Sequence, residues 1–160
     1  MQIIQTEPLT PHAFAAYGDV LDASGPPDRL INKGLCGRFH DRARLDFGPD
    51  GRAGLSIFNA EPRSFPYLLD LIERHPDGSQ AFLPMTQNPF LVIVADGPES
   101  RPCAFLTNGA QGINLFRGTW HGVLTPLQGP GLFAVVDRIG ATPNIEEHWY
   151  QTPWIIDTKS

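Results

Sequence analysis

The chain of 160 residues has little of what marks nucleic-acid-binding, membrane-spanning or disulfide-built proteins. Of twelve basic residues only Lys33 and Lys159 are lysines; the rest are arginines scattered along the chain, and the net charge is −5. No basic run can neutralise several phosphates, which argues against nucleic acid and against an anionic membrane surface as partners. The two cysteines, Cys36 and Cys103, lack CxxC spacing and read as reduced thiols. No apolar stretch approaches 18 residues, so nothing reads as a spanning helix. Met1–Glu7 lacks the basic and apolar regions of a secretory signal. These absences lead us to expect a soluble, cytoplasmic protein.

Glycine and proline are abundant instead, sixteen of each, or one residue in five, against roughly 12% in an average chain. Both break helix interiors and serve turns. Hydrophobic residues at 41% are ample for a core and exclude disorder. A chain of this length buries about 70% of its unfolded surface, so residues 1–160 are expected to form one domain around one core. Thr10–Gly18 reads as one short helix, with Thr10 as cap, Pro11 in the first turn and Gly18 in the left-handed conformation that ends it. Segment 24–36 reads as loop. Short strands are expected at 2–5, 36–47, 53–60, 67–75, 80–85, 89–96, 102–107, 112–117, 119–125, 131–138 and 147–156, with Gly, Pro or Asn in most gaps. Asn108-Gly109 marks a tight turn. Segment 67–75 also fits a short amphipathic helix, but flanking Pro66 and Pro76 favour a strand. The pattern predicts an all-β sandwich or barrel.

Two stretches carry candidate chemistry. Glu73 and His75 are two apart, so on a strand both face the same way, while Arg74 points outward. Gln80 follows the Pro76-Asp77-Gly78 turn and can return to the same side. In Asn114-Leu115-Phe116-Arg117-Gly118-Thr119-Trp120-His121, Gly118 permits a sharp bend that sets His121 at the start of a strand. Asp137-Arg138 reads as an ion pair at a strand end, His12, His40 and His148 as surface or structural, and Phe82, Phe90, Phe105 and Phe133 as core.

The positions Glu73, His75 and Gln80, followed by Gly118-x-x-His121, resemble the two motifs of the cupin superfamily. That implies a double-stranded β-helix, or jelly-roll, barrel. The resemblance narrows with Glu73-Arg-His-Pro-x-Gly-x-Gln-Ala-Phe-x-Pro-Met85, Phe105-x-Thr-Asn-Gly-x-Gln-Gly-x-Asn114 and Arg117-Gly-x-Trp-His121. Ile31-Asn32-x-Gly34-Leu35, Arg38-Phe39-His40-Asp41 and Asp137-Arg138 belong to the same pattern. Together these resemble the ureidoglycolate lyase family from about residue 3 to residue 156. What the resemblance implies is a cupin-fold homodimer that splits ureidoglycolate into glyoxylate and urea in allantoin degradation. It also implies a divalent metal, nickel in some members, at Glu73, His75, Gln80 and His121. Cupin metal sites typically use His, His, Glu and His; Glu73 is a competent ligand and the neutral Gln80 a weak one. Family members often carry a second His where this chain has Gly122.

For such a reaction, His121 or Glu73 is the candidate base at the substrate hydroxyl, and His75 the proton donor or a metal ligand. Arg38, Arg74, Arg117 and Arg138 are candidates for the substrate carboxylate. Gln80 and Asn32 are candidates for the ureido group. Competing readings are another cupin enzyme, an isomerase or a dioxygenase using Glu73, His75 and His121, and a non-catalytic ligand-binding cupin.

Overall fold

In the computed structural model, which describes residues 2–159, two β-sheets face each other. The larger runs in the order β1 (Ile3–Gln5), β15 (Glu146–Asp157), β7 (Tyr67–Arg74), β12 (Trp120–His121), β9 (Phe90–Ala95), β10 (Cys103–Leu106) and β2 (Glu7–Pro8), with β13 (Thr125–Pro126) also on β9. The smaller runs β3 (Gly18–Leu21), β11 (Gly112–Leu115), β8 (Gln80–Pro84), β14 (Gly131–Ile139) and β6 (Arg52–Ala60). A separate hairpin pairs β4 (Arg29–Ile31) with β5 (Cys36–Arg38). This is the expected all-β, cupin-like barrel with one short helix, α1 (Pro11–Phe14).

The alternation of β9 shows how the barrel is filled. Every residue of Phe90–Ala95 is buried. Phe90, Val92 and Val94 face the lumen, where they pack with Phe14, Phe82, Phe105, Ile113, Leu115, Phe133 and Val135. Leu91, Ile93 and Ala95 face the other way, into a second cluster with Ile4, Leu69, Ile72, Ala104 and Ile156. A strand with a core on each face needs no polar side, hence the unbroken apolar run. The four phenylalanines expected in the core are there, with Phe90 and Phe133 edge to face at 5.0 Å. Segment 67–75 is a strand through Arg74, paired with β15 and β12. Its alternation is interrupted: Leu69 and Ile72, of opposite parity, both enter the second cluster, beside a register shift between Trp149 and Trp154 of β15.

Several expectations are corrected. The helix stops at Phe14 and the chain leaves it through a turn. Gly18 does not take the left-handed conformation; it opens β3, where a Cβ would overlap the Asn114 carbonyl. Close strand contact, not helix termination, is what requires glycine there. Expected strand 36–47 is strand only at Cys36–Arg38, and 119–125 splits into two dipeptide strands. Residues 43–46 instead run over the smaller sheet, held by Asn114 Nδ2 donating to the Arg44 carbonyl (3.1 Å) and the Ser79 amide donating to the Asp46 carbonyl (2.8 Å). Asn108-Gly109 does turn, with Gly109 at φ +90°, but it carries the chain from one sheet to the other, since β10 pairs with β9 and β11 with β8.

Candidate active site

The two motif stretches meet at one end of the lumen. His121 on β12 lies directly opposite Glu73 on β7 and Val94 on β9. The Gly118 amide donates to the His75 carbonyl at 3.0 Å, tying the two motifs through their backbones. Gly118 sits at φ +79°, a conformation that side chains disfavour and that this bend requires. As a result one side-chain ligand atom from each of Glu73, His75 and His121 lies within 4.8 Å of the others. His75 and His121 stack obliquely, with ring centroids 5.2 Å apart.

Both imidazoles are fixed in the same tautomeric sense. The Nδ1 of His75 meets the Asn144 carbonyl at 2.9 Å, and the Nδ1 of His121 meets the Gly122 carbonyl at 2.8 Å. A carbonyl only accepts, so each Nδ1 carries a proton, and in the neutral ring the lone pair is then on Nε2. Both Nε2 atoms are buried and lack a partner. Burial pushes the His121 pKa down to about 4, with the bond to Gly122 working against this and the nearby His75 with it. Burial also raises Glu73, opposed by His75 and reinforced by Glu147. Lone pairs and a carboxylate thus converge without a donor among them.

Those donors suit a divalent cation. Imidazole nitrogen and carboxylate oxygen bind such ions at ~2.0–2.2 Å, so ligand atoms within 4.8 Å need only modest rotation to close. Carbonyl groups behind each Nδ1 are also the usual outer support of metal-bound histidines. Gln80, 6% exposed, stands on β8 opposite Leu115 and Asp137, and its Nε2 donates to Asp137 Oδ2 at 3.1 Å. With Phe82, Val92, Ile113 and Leu115, His121 also borders a small cavity of about 20 Å³. That is near the size of one water, so a small acid does not fit within it.

Among the described residues, none of the four candidate arginines hydrogen-bonds or ion-pairs with Glu73, His75 or His121. Arg74 points outward as expected, bound to Glu146 (2.8 Å) and over the Trp120 ring (5.1 Å). Arg117 is exposed and donates to the Pro76 carbonyl (2.7 Å). Arg138 does not pair with Asp137, its neighbour on the opposite strand face. It donates to the Phe47 carbonyl (2.9 Å) and Thr142 Oγ1 (2.8 Å), strapping two loops. Arg38 and Asn32 are exposed on the β4–β5 hairpin, where Asn32 takes the turn at φ 54°. Gly122 faces away from the site, since a Cβ there would crowd Ile93 at 3.2 Å. His12 and His40 are exposed, and His148 lies 3.7 Å from Glu99. Two residues take supporting roles that the sequence did not assign. Asn144, at φ 51°, presents its carbonyl to His75 and its Oδ1 to the Asp77 amide (2.7 Å). Asp137 takes the Gln80 amide. No motif marks Asn144; Asp137 belongs to the Asp137-Arg138 pattern, but strand register turns it to Gln80 and not to Arg138.

Comparison with known proteins agrees with this geometry. A model of the family described as ureidoglycolate lyase matches residues 1–157. The chain is 54% identical to a ureidoglycolate lyase of Rhodobacter capsulatus over 160 residues, covering 98% of this chain and 99% of that one. It is 44% identical to ureidoglycolate lyase 2 of Rhizobium meliloti over 154 residues, 94% of each chain. It is also 44% identical to a ureidoglycolate lyase of Pseudomonas syringae over 156 residues, 94% of this chain and 92% of that one. A match that spans nearly the whole chain and includes both motif stretches shows that the chain belongs to the ureidoglycolate lyase family.

Proposed function

We propose that this protein is a carbon–nitrogen lyase that splits ureidoglycolate into glyoxylate and urea, a step of allantoin degradation, at the Glu73–His75–His121 cluster. The observation that carries the reading is the convergence of two buried, unpartnered imidazole Nε2 atoms and a carboxylate in one cluster. His75, His121 and Glu73, with Gln80, would hold a divalent metal, nickel in the reading that the family resemblance gives. When bound, such an ion polarises the substrate's hydroxyl and carboxylate oxygens and lowers the pKa of the hydroxyl. With Nδ1 protonated in both rings, His75 and His121 offer lone pairs at the cluster, which supports a ligand's part over a proton donor's. Glu73 has a second oxygen free to take the hydroxyl proton and return it to the departing ureido nitrogen. Its pKa, raised by burial, moves toward neutrality and suits that role.

The substrate carboxylate needs a cation. Arg74, Arg117 and Arg138 are engaged at other places, whereas Arg38 and Asn32 have side chains without a hydrogen bond among the described residues. We assign Arg38 to the carboxylate and Asn32 to the ureido group. We also propose a homodimer in the cytoplasm. Its support is apolar surface along the edge strand β6 and its neighbours: Leu55 is 73% exposed, Ile57 57% and Met85 56%, with Leu35 of the hairpin at 89%. Among the described residues no helix is long and apolar enough to cross a membrane.

The test is to supply ureidoglycolate to the purified protein with and without added divalent metal, following urea, ammonia and glyoxylate. Urea and glyoxylate in equal amounts are expected. Ammonia as the direct nitrogen product would make the protein a hydrolase, and no turnover under any metal would overturn the assignment.

A further inference from the structure

Among the described residues, five buried side-chain polar atoms lack a partner: His75 Nε2, His121 Nε2, Gln80 Oε1, Asn114 Oδ1 and Tyr150 OH. The two nitrogens belong to the cluster already described, and strand register turns Gln80 toward the same lumen. Gln80 lies two residues from Phe82 on the same face of β8 and opposite Leu115 on β11. Phe82 and Leu115 line the same cavity as His121. Why the oxygen of this amide is the orphan, and not the nitrogen, has a local cause. Asp137 stands directly across from Gln80 in the β14–β8 pair, and its Oδ2 receives Gln80 Nε2 at 3.1 Å. A carboxylate accepts and does not donate, so the amide must turn its NH2 toward Asp137 and its oxygen away.

The consequence is chemical. An NH2 aimed at the cluster would donate to an Nε2 lone pair or to Glu73 and would itself stand where a cation goes. With the amide held the other way, every group facing the site is an acceptor. We propose that Asp137 is a positioning residue that locks the Gln80 amide so that Oε1 is presented to the metal as an oxygen ligand, making good the weakness of a neutral amide by fixing its orientation in advance. This rests on the metal reading given above and assigns a role to a residue that touches neither the metal nor the substrate.

The experiment is calorimetric titration of metal-stripped protein with Ni2+, comparing wild type, Asp137→Asn, and Gln80→Glu combined with Asp137→Asn. The amide introduced at position 137 can donate to Gln80 Oε1 and lets the NH2 turn inward. Nickel affinity of Asp137→Asn should therefore fall by ~10–100-fold, the usual effect of losing an outer-shell partner. Adding Gln80→Glu should restore most of it, because a carboxylate at position 80 accepts from the new amide with one oxygen and offers the other to the metal. Because a carboxylate binds Ni2+ better than an amide in any setting, Gln80→Glu alone completes the cycle: a merely structural role for Asp137 would cost the same affinity in that background as in wild type, and thermal melts of every variant check the fold. Equal affinity in wild type and Asp137→Asn, or no recovery in the double variant, overturns the proposal alone. No nickel binding by wild type overturns the metal reading and this proposal with it.

Discussion

His121 couples the site to folding stability through its burial, and the coupling has a definite sign. Its pKa falls from 6.5 to about 4 in the folded protein. The unfolded chain therefore binds a proton as pH drops below about 6.5, while the folded protein refuses it until about pH 4. The unfolded state gains protons first, so stability is lost as pH falls through this window and is fully present above it. For a shift from 6.5 to about 4 the loss at pH 5 comes to about 2 kcal/mol relative to pH 8, tending to about 3 kcal/mol below pH 4. Glu73 acts in the opposite sense. Its raised pKa means that the folded protein takes up a proton first, which favours folding as pH falls. The comparison that isolates His121 is with His121→Asn, whose amide nitrogen can occupy the place of Nδ1 and donate to the Gly122 carbonyl while nothing titrates. Urea denaturation of metal-stripped wild type and variant should be run at steps from pH 8 to pH 5. The stability difference between the two should shrink by about 2 kcal/mol toward acid. A difference constant across the range would refute the burial of a neutral imidazole at this position.

Other outcomes follow from the same structure. Arg38→Ala should raise KM for ureidoglycolate by at least ~10-fold, the order of losing a charged hydrogen bond, with the melting temperature unchanged; an unchanged KM removes Arg38 from the site. Arg138→Ala should do the reverse. It loses the bonds to Phe47 and Thr142, worth about 2 kcal/mol or more, and should melt ~5 °C or more lower by calorimetry with KM unchanged. Replacing Leu55 and Ile57 together by Asp should convert a dimer to monomers in sedimentation experiments without unfolding the barrel, since both side chains are mostly exposed in the single chain.

The fold was legible where one physical rule dominated. Turn residues between short apolar runs are incompatible with long helices, and they marked β6, β7, β8, β9 and β14 closely. Legibility failed where contact across the chain decides. Gly18 looks like a helix terminator because it follows a capped turn, yet it is required by the Asn114 carbonyl on a strand nearly a hundred residues away. Segment 39–47 has strand-like composition but spends its backbone bonds on the outside of the smaller sheet. Glu73 and His75 were read from strand alternation, Gln80 from the turn before it and His121 from the bend at Gly118, and the resemblance joined the four as one site. Arg138 illustrates the limit. An arginine beside an aspartate reads as an ion pair, but adjacent residues of a strand face opposite sides, so Asp137 turned to Gln80 and Arg138 to the loops.

The most direct measurement is the rate of urea release from ureidoglycolate by metal-loaded wild type and Glu73→Gln, with glyoxylate counted in the same samples. Wild type should release urea and glyoxylate one to one. Glu73→Gln, folded by its melting curve, should be slower by ~10²–10⁴-fold, the usual contribution of a placed acid–base group. Equal rates in the two proteins would contradict a lyase centred on this cluster.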